Sequence, residues 1–228
     1  VEPVWADPPL TWKWTSTLGT LGKTFLGPLA ADLNNDGKME IVVVGGSSDG
    51  GTDGTVTVLN GTTGIKIWQV APYSKQEMKI GIGMHSPFEI ADLNKDGIPE
   101  IIIAGGGASY GTGTLALHGN NGSMYWKNAA TPAEENYLAV GDVDGDGYPE
   151  IFVSRGNGPI NGHDWITQLS YDGKILRQAW AWRPCWGGMA LGDTNFDGIL
   201  ELYAGDRSQI YALPGERYKG GGMGPRAL

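Results

Sequence analysis

Cysteine is all but missing from this chain. Cys185 stands alone among 228 residues, which excludes an intrachain disulfide framework. Histidine is nearly as scarce, with 3 residues, and no Cys/His cluster has the spacing of a zinc site. Charged residues make up only 18% of the chain, and 16 Lys and Arg are spread too thinly for a nucleic-acid face. No apolar run approaches the roughly 20 residues of a membrane-spanning helix, and the longest are strand-sized. A secretory leader is not visible, and the chain opens at Val1 rather than Met, so it reads as processed or excised. Gly45-Gly46 and Gly105-Gly106-Gly107 are followed by no helix pattern and no P-loop lysine, which excludes a phosphate cradle.

Glycine and acid are what the chain has in quantity. Its 38 glycines mark many tight turns between short elements, and its formal net charge is −9. Much of that acid sits in one nine-residue pattern that occurs four times. The copies begin at Asp32, Asp92, Asp142 and Asp193, spaced by 60, 50 and 51 residues. Position 3 is Asn34, Asn94, Asp144 or Asn195, and position 5 is Asp36, Asp96, Asp146 or Asp197. Position 6 is always Gly, and position 9 is Glu40, Glu100, Glu150 or Glu201. Oxygen side chains at 1, 3, 5 and 9, with the main-chain carbonyl of position 7 (Lys38, Ile98, Tyr148 or Ile199), make a cage for a hard cation. Calcium takes six to eight oxygens of this kind. Three acids per copy plus Asp144 give 13 of the 25 Asp and Glu residues. Four Ca²⁺ ions would therefore bring the formal charge to about −1, so the acidity is internal ligand charge rather than the sign of a basic partner.

An EF-hand loop begins similarly but needs a bidentate Glu at position 12 and a helix on each side. Position 12 here is Val43, Ile103, Val153 or Ala204, and Pro99 and Pro149 at position 8 argue against an incoming helix. The runs that follow, such as Ile41-Val42-Val43-Val44 and Ile101-Ile102-Ile103, are β-branched and bounded by glycine, so they read as buried strands. A strand–cage–strand unit of this type resembles the calcium-binding loop of FG-GAP or VCBS repeats, as in the propeller of integrin alpha subunits. The resemblance implies an all-β fold, a β-propeller of four-stranded antiparallel blades that binds up to four Ca²⁺.

The residues between the cages support the same unit. Each copy continues into an alternating strand (Thr55–Leu59, Thr114–Leu117, Ile166–Leu169, Gln209–Leu213), a turn signal at Asn60-Gly61, Asn121-Gly122 or Asp172-Gly173, and a last strand ending near Trp68, Trp126 or Trp180. That gives blades of about 27–69, 86–127, 136–180 and 187–215 in a single domain, with 216–228 a tail or linker. The fourth copy lacks a last strand, while Leu10-Thr11-Trp12-Lys13-Trp14 has no blade of its own. The expectation is that strand 10–15 completes the fourth blade, which is consistent with a closed four-bladed ring. The alternative is an arc of a larger propeller.

A four-stranded meander puts all the cages on one face, leaving the connections between second and third strands and the blade-to-blade crossings on the other. Propellers usually bind ligands on that opposite face. Its candidates are His85, His163, and the aromatic-plus-arginine group Trp182, Arg183 and Trp186; no catalytic set emerges from them. A lone His is more often structural, and aromatic clusters more often pack between blades. Asn60-Gly61-Thr62 and Asn121-Gly122-Ser123 also fit the glycosylation sequon. Two functions are consistent with this pattern. One is an extracellular or cell-surface binding, adhesion or scaffold module for protein or glycan ligands, with self-assembly a further option and no nucleic acid or membrane span. The other is a polysaccharide lyase acting on pectin-type polymers, for which a convergent base and cation set is not visible.

Overall fold

The computed structural model describes residues 11–18, 26–46, 52–83, 85–105, 113–131, 137–154, 164–181, 188–205, 210–213 and 226–227. Four cages each run straight into an apolar strand, and each such strand becomes the second of four in an antiparallel sheet. Blade 1 holds β1 (Leu29–Ala31), β2 (Glu40–Gly45), β3 (Thr55–Asn60) and β4 (Lys66–Val70); blade 2 holds β5 (Phe88–Ala91), β6 (Glu100–Gly105), β7 (Gly113–His118) and β8 (Met124–Asn128). Blade 3 holds β9 (Leu138–Gly141), β10 (Glu150–Ser154), β11 (Asp164–Leu169) and β12 (Ile175–Ala181). Blade 4 holds β13 (Met189–Gly192), β14 (Glu201–Gly205), β15 (Ile210–Leu213) and β16 (Arg226–Ala227). Strand order within every blade is sequence order, the meander of a propeller unit. The only helical element among the described residues is one 3₁₀ turn at Pro72–Ser74.

The unbroken apolar runs follow from burial on both faces. Ile101 and Ile103 of β6 join Val42, Val44, Val56 and Val58 in the core between blades 1 and 2. Ile102 and Ala104 point the other way, into the core shared with Ile151, Val153 and Leu169 of blade 3. A central strand of a stack thus needs hydrophobic residues at every position, where a sheet wet on one side would alternate. Phe152 and Leu202 sit in a third core, between blades 3 and 4. The crossing from blade 1 to blade 2 adds Met78, Ile80 and Ile82 to the first core.

Inner strands follow one another in an open row: β1 meets β5, β5 meets β9 and β9 meets β13, with no contact of that strength from β13 to β1. The sheets are four blades of an arc. The expected role of residues 10–15 in closing a ring is corrected here. β15 is paired by β16, through Tyr211 with Ala227 and Ala212 with Arg226, and 11–18 form no strand. The tail expected at 216–228 therefore contributes this edge strand.

Trp14 instead docks on blade 1. Its indole N–H donates to the Gly61 carbonyl at 3.0 Å, just as Trp68 donates to Gly119 of blade 2 at 3.0 Å and Trp126 to Tyr171 of blade 3 at 2.9 Å. Each indole lies over a turn glycine, Gly64, Gly122 or Gly173, with φ of 71°, 71° and 79°. A Cβ there would strike the ring and would also sit on a left-handed backbone. The blade 1 reversal therefore runs from Asn60 to Ile65 and is not a two-residue turn on Asn60-Gly61. Asn60 starts the turn, its amide donating to Ile65 O at 2.8 Å and its side chain accepting from Thr62 and Thr63. Gly61 donates to Met39 O of the cage loop at 3.1 Å, tying the two loops of the same face together.

Candidate metal centre

Cages 1, 2 and 4 are held by the same internal hydrogen bonds, and cage 3 exchanges one of them. In the first, the position-1 carboxylate of Asp32 accepts from Asp36 N at 3.1 Å and Gly37 N at 2.8 Å. Asn34 Oδ1 accepts from Asp36 N at 3.0 Å, and Asp36 Oδ1 from Lys38 N at 2.9 Å. Asp92, Asn94 and Asp96 repeat this scheme with amides of Asp96, Gly97 and Ile98, and Asp193, Asn195 and Asp197 with those of Asp197, Gly198 and Ile199. In the third cage Gly145 N replaces the position-5 amide on Asp142, and Gly147, Asp146 and Tyr148 donate as elsewhere. Such amide donors hold the Asp32 carboxyl below the usual range, against the opposing push of desolvation. Each carboxylate keeps oxygen lone pairs beyond those the amides take, which leaves it able to bind a cation.

The backbone explains the glycine. Position 6 has φ of 82°, 84°, 84° and 88° in the four loops, the left-handed region where a side chain is strained. Position 4 is left-handed too, at Asn35 (59°), Lys95 (63°), Gly145 (72°) and Phe196 (61°). Only Asn35 and Gly145 are of types that advertise this conformation; Lys95 and Phe196 conceal it.

Position 9 is the buried end of the cage. Glu40, Glu100 and Glu150 are buried, and each accepts from the position-2 amide, Leu33, Leu93 or Val143, at 3.0 Å. Glu201 receives Thr194 N at 3.1 Å but is only half-buried. In cages 2 and 4 the Asn side-chain amide bridges the acids: Asn94 Nδ2 lies 3.1 Å from Asp96 and 3.4 Å from Glu100, and Asn195 Nδ2 lies 2.9 Å from Asp197 and 3.3 Å from Glu201. An Asp cannot donate such bonds. In cage 3, Asp142, Asp144 and Asp146 bring oxygens within 4.8 Å of one another. Desolvation, then repulsion from Asp144, Asp146 and Asp142, pushes the Glu150 carboxyl from 4.5 up to about 7. An all-oxygen set with up to four acids, one of them buried, fits a hard divalent cation and would be costly without one.

Glu150 has a raised folded pKa, so its contribution to stability is fully present below about pH 4.5 and lost as pH rises through about 7. In EDTA, Glu150→Gln is expected to match the wild type at pH 4.5 and exceed it at pH 8, by at most about 3 kcal/mol. Denaturant melts of both proteins across that range check this; equal pH dependence would refute it.

Two neighbours of the cages escaped sequence reasoning. His118 Nδ1 is 3.3 Å from Glu100 Oε1, a contact that offsets part of the burial which raises Glu100. Lys95 reaches from cage 2 to cage 3, 3.9 Å over the Tyr148 ring and 3.4 Å from Asp146 O, and Tyr148 stacks on Tyr171 at 4.5 Å. No motif signals either contact: the first depends on the register of β6 with β7, which pairs Glu100 with His118, and the second on the spacing of blades 2 and 3. On the opposite side, His85 is exposed, while His163, Trp182, Arg183 and Trp186 lie outside the described residues, as does Cys185.

Sequence-family models for an FG-GAP-like repeat match residues 83–153 and for an FG-GAP repeat residues 138–175. No curated protein matches the chain by sequence. Among solved structures it is similar to a Bacillus licheniformis rhamnogalacturonan lyase, with TM-score 0.62 and 17% identity over 86% of this chain and 41% of the other. The exotype rhamnogalacturonan lyase YesX matches with TM-score 0.62 and 15% identity, over 86% and 40%. The V. cholerae biofilm matrix protein Bap1 matches with TM-score 0.50 and 20% identity, over 91% and 41%. The chain thus spans about two fifths of the length of these structures, and the likeness is one of fold. Among the described residues no helix is long and apolar enough to cross a membrane.

Proposed function

From the FG-GAP-like repeats it carries on propeller blades, we propose that this chain is a calcium-stabilised extracellular module that presents a binding surface to protein or glycan ligands. The single observation behind this reading is the fourfold loop, whose position-1 carboxylate accepts from the position-6 glycine amide in every blade. The position-1, -3, -5 and -9 side chains of each cage (Asp144 standing in cage 3 where the others have Asn), with the carbonyls of Lys38, Ile98, Tyr148 and Ile199, would hold the ion. Calcium supplies charge neutralisation where acids converge, and the protein supplies loops already set in shape. Such a site steadies blades; it does not by itself do chemistry. Titration calorimetry with CaCl₂ tests it, with up to four ions per chain expected. Asp36→Ala is expected to remove one and leave the others, at a cost of about 2.7 kcal/mol at a free calcium 100 times the dissociation constant. Uptake of no ion at millimolar calcium would end the reading.

The likeness to two rhamnogalacturonan lyases supports a second reading, a lyase acting on a pectin-type polymer. Lyase chemistry needs a base for the proton alpha to a uronate carboxylate and cations to neutralise that carboxylate. His85 is the described histidine on the face opposite the cages, and it is exposed. Incubation with rhamnogalacturonan and with polygalacturonate, following absorbance of the unsaturated product, separates the two readings. Binding without turnover is expected; calcium-dependent turnover would favour the lyase.

A further inference from the structure

Cage 3 differs from its neighbours by one charge, and a cation from the preceding blade meets it. Asp142, Asp144, Asp146 and Glu150 give it four acids, because Asp144 stands at position 3 where the other loops carry Asn34, Asn94 and Asn195. Against one divalent ion, four acids leave a formal charge of −2, where three leave −1. Oxygens of Asp142, Asp144 and Asp146 lie within 4.8 Å of one another, so the added carboxylate is repelled by both neighbours when the cage is empty.

Lys95, at position 4 of cage 2, is the side chain that arrives there. Position 4 of the other loops is Asn35, Gly145 or Phe196, none of them charged. The Lys95 Nζ stands where a Cβ of Gly147 would stand, 3.4 Å from the Asp146 carbonyl and 3.9 Å over the Tyr148 ring. Gly147 N–H donates to Asp142 at 2.7 Å and Tyr148 N–H to Asp146 at 2.8 Å, so the ammonium rests on the backbone that holds two of the four acids. Tyr148 is in turn stacked on Tyr171, whose carbonyl receives the Trp126 indole of blade 2. The perch of Lys95 is thus fixed to the blade that supplies it. Equivalent places on the other loops lack a cation. Asn35 lies 3.7 Å from the Cβ position of Gly97, and Gly37 and Gly198 have nothing within 4 Å.

We propose that Lys95 is a positioning residue for cage 3, a built-in counter-cation supplied by cage 2 that offsets part of the charge added by Asp144. The inference rests on the reading of the cages as calcium sites. An ammonium on the loop relieves repulsion among its acids most when the cage is empty, and it repels an incoming divalent ion. It therefore steadies the empty loop and loosens its hold on calcium, bringing cage 3 toward the affinity of the others. A lysine that served only as a clip between blades would leave calcium affinity alone.

Glycine-selective ¹⁵N labelling of the intact chain gives one reporter per cage. The amides of Gly37, Gly97, Gly147 and Gly198 each donate to their own position-1 carboxylate. Following them through calcium titrations against a competing chelator compares two variants with wild type. Lys95→Met keeps the stem on Tyr148 and drops the charge; Lys95→Arg keeps both. In low salt Lys95→Met is expected to tighten cage 3 by roughly three- to tenfold and to leave cages 1 and 4 unmoved. Lys95→Arg is expected to match wild type. In EDTA, Lys95→Met is expected to melt about 2–4 °C lower, and adding Asp144→Asn to restore the loss, since the double variant drops one charge of each sign. Cage 3 affinity unchanged or weakened in Lys95→Met, tightening reproduced by Lys95→Arg, or no restoration in the double variant would each overturn the proposal. Wild-type amides that ignore millimolar calcium would overturn the calcium reading and this proposal with it.

Discussion

Chelation is expected to lower the melting temperature by roughly 20–40 °C. An ion that binds only the folded state, at a free concentration 100 times its dissociation constant, stabilises by about 2.7 kcal/mol per site. Four sites then contribute about 11 kcal/mol, and for a chain of this size each kcal/mol is worth about 2–4 °C. The distribution matters as much as the sum. Cage 3 holds four acids, the buried Glu150 among them, so it gains most from an ion and loses most without one. The other three cages lean partly on their own amides and, in cages 2 and 4, on an Asn bridge. Calorimetric melts in calcium, in EDTA, and in EDTA after calcium is restored separate this from irreversible damage. A melting temperature unmoved by EDTA would mean that the loops are turns held by N–H donors alone.

The cages and the strands after them were legible in the sequence because both rest on local rules. An Asp at position 1 needs amides five and six residues into the same loop, and glycine alone is relaxed at position 6. Ile101-Ile102-Ile103 announces a strand buried on both faces. Contacts between blades were less legible. Asn60-Gly61 looks like the commonest hairpin turn, yet a longer six-residue reversal won because it puts Gly64 beneath Trp14 and frees Gly61 to bond Met39. Residues 10–15 read as a closing strand because their Trp pattern matches the other outer strands. The Trp was right about an indole seat, which Trp14 takes on blade 1, but 11–18 form no strand, and a local signal carries no information on ring size. Lys95 over Tyr148 was invisible because it joins cages of two blades at a separation that only their stacking sets, and His118 beside Glu100 because only the register of β6 with β7 pairs them. The face opposite the cages, to which the sequence pattern alone assigned His163 and the Trp182–Trp186 group, stands as a proposal for a ligand, those residues lying outside the described ones.

Trp126→Ala is expected to cost about 3–5 kcal/mol, the range for removing a large aromatic from a packed site. Three losses coincide there. The indole leaves the core that Leu93, Ile102 and Leu169 share between blades 2 and 3. Its N–H no longer reaches Tyr171 O, 2.9 Å away. Gly173, whose missing side chain makes room for that ring, is left with an uncovered void above its turn. Trp126→Phe keeps most of the packing and drops only the hydrogen bond, so about 1 kcal/mol is expected. Chemical denaturation of the three proteins in saturating calcium measures the difference without interference from the cages. Because Trp126 crosses from β8 to blade 3, its loss is also expected to broaden the transition as the two halves of the arc unfold less cooperatively. A cost below 1 kcal/mol for Trp126→Ala would show that blades are joined by the aliphatic seams alone. The repeated indole seats at Gly61, Gly119 and Tyr171 would then be a consequence of stacking and not one of its causes.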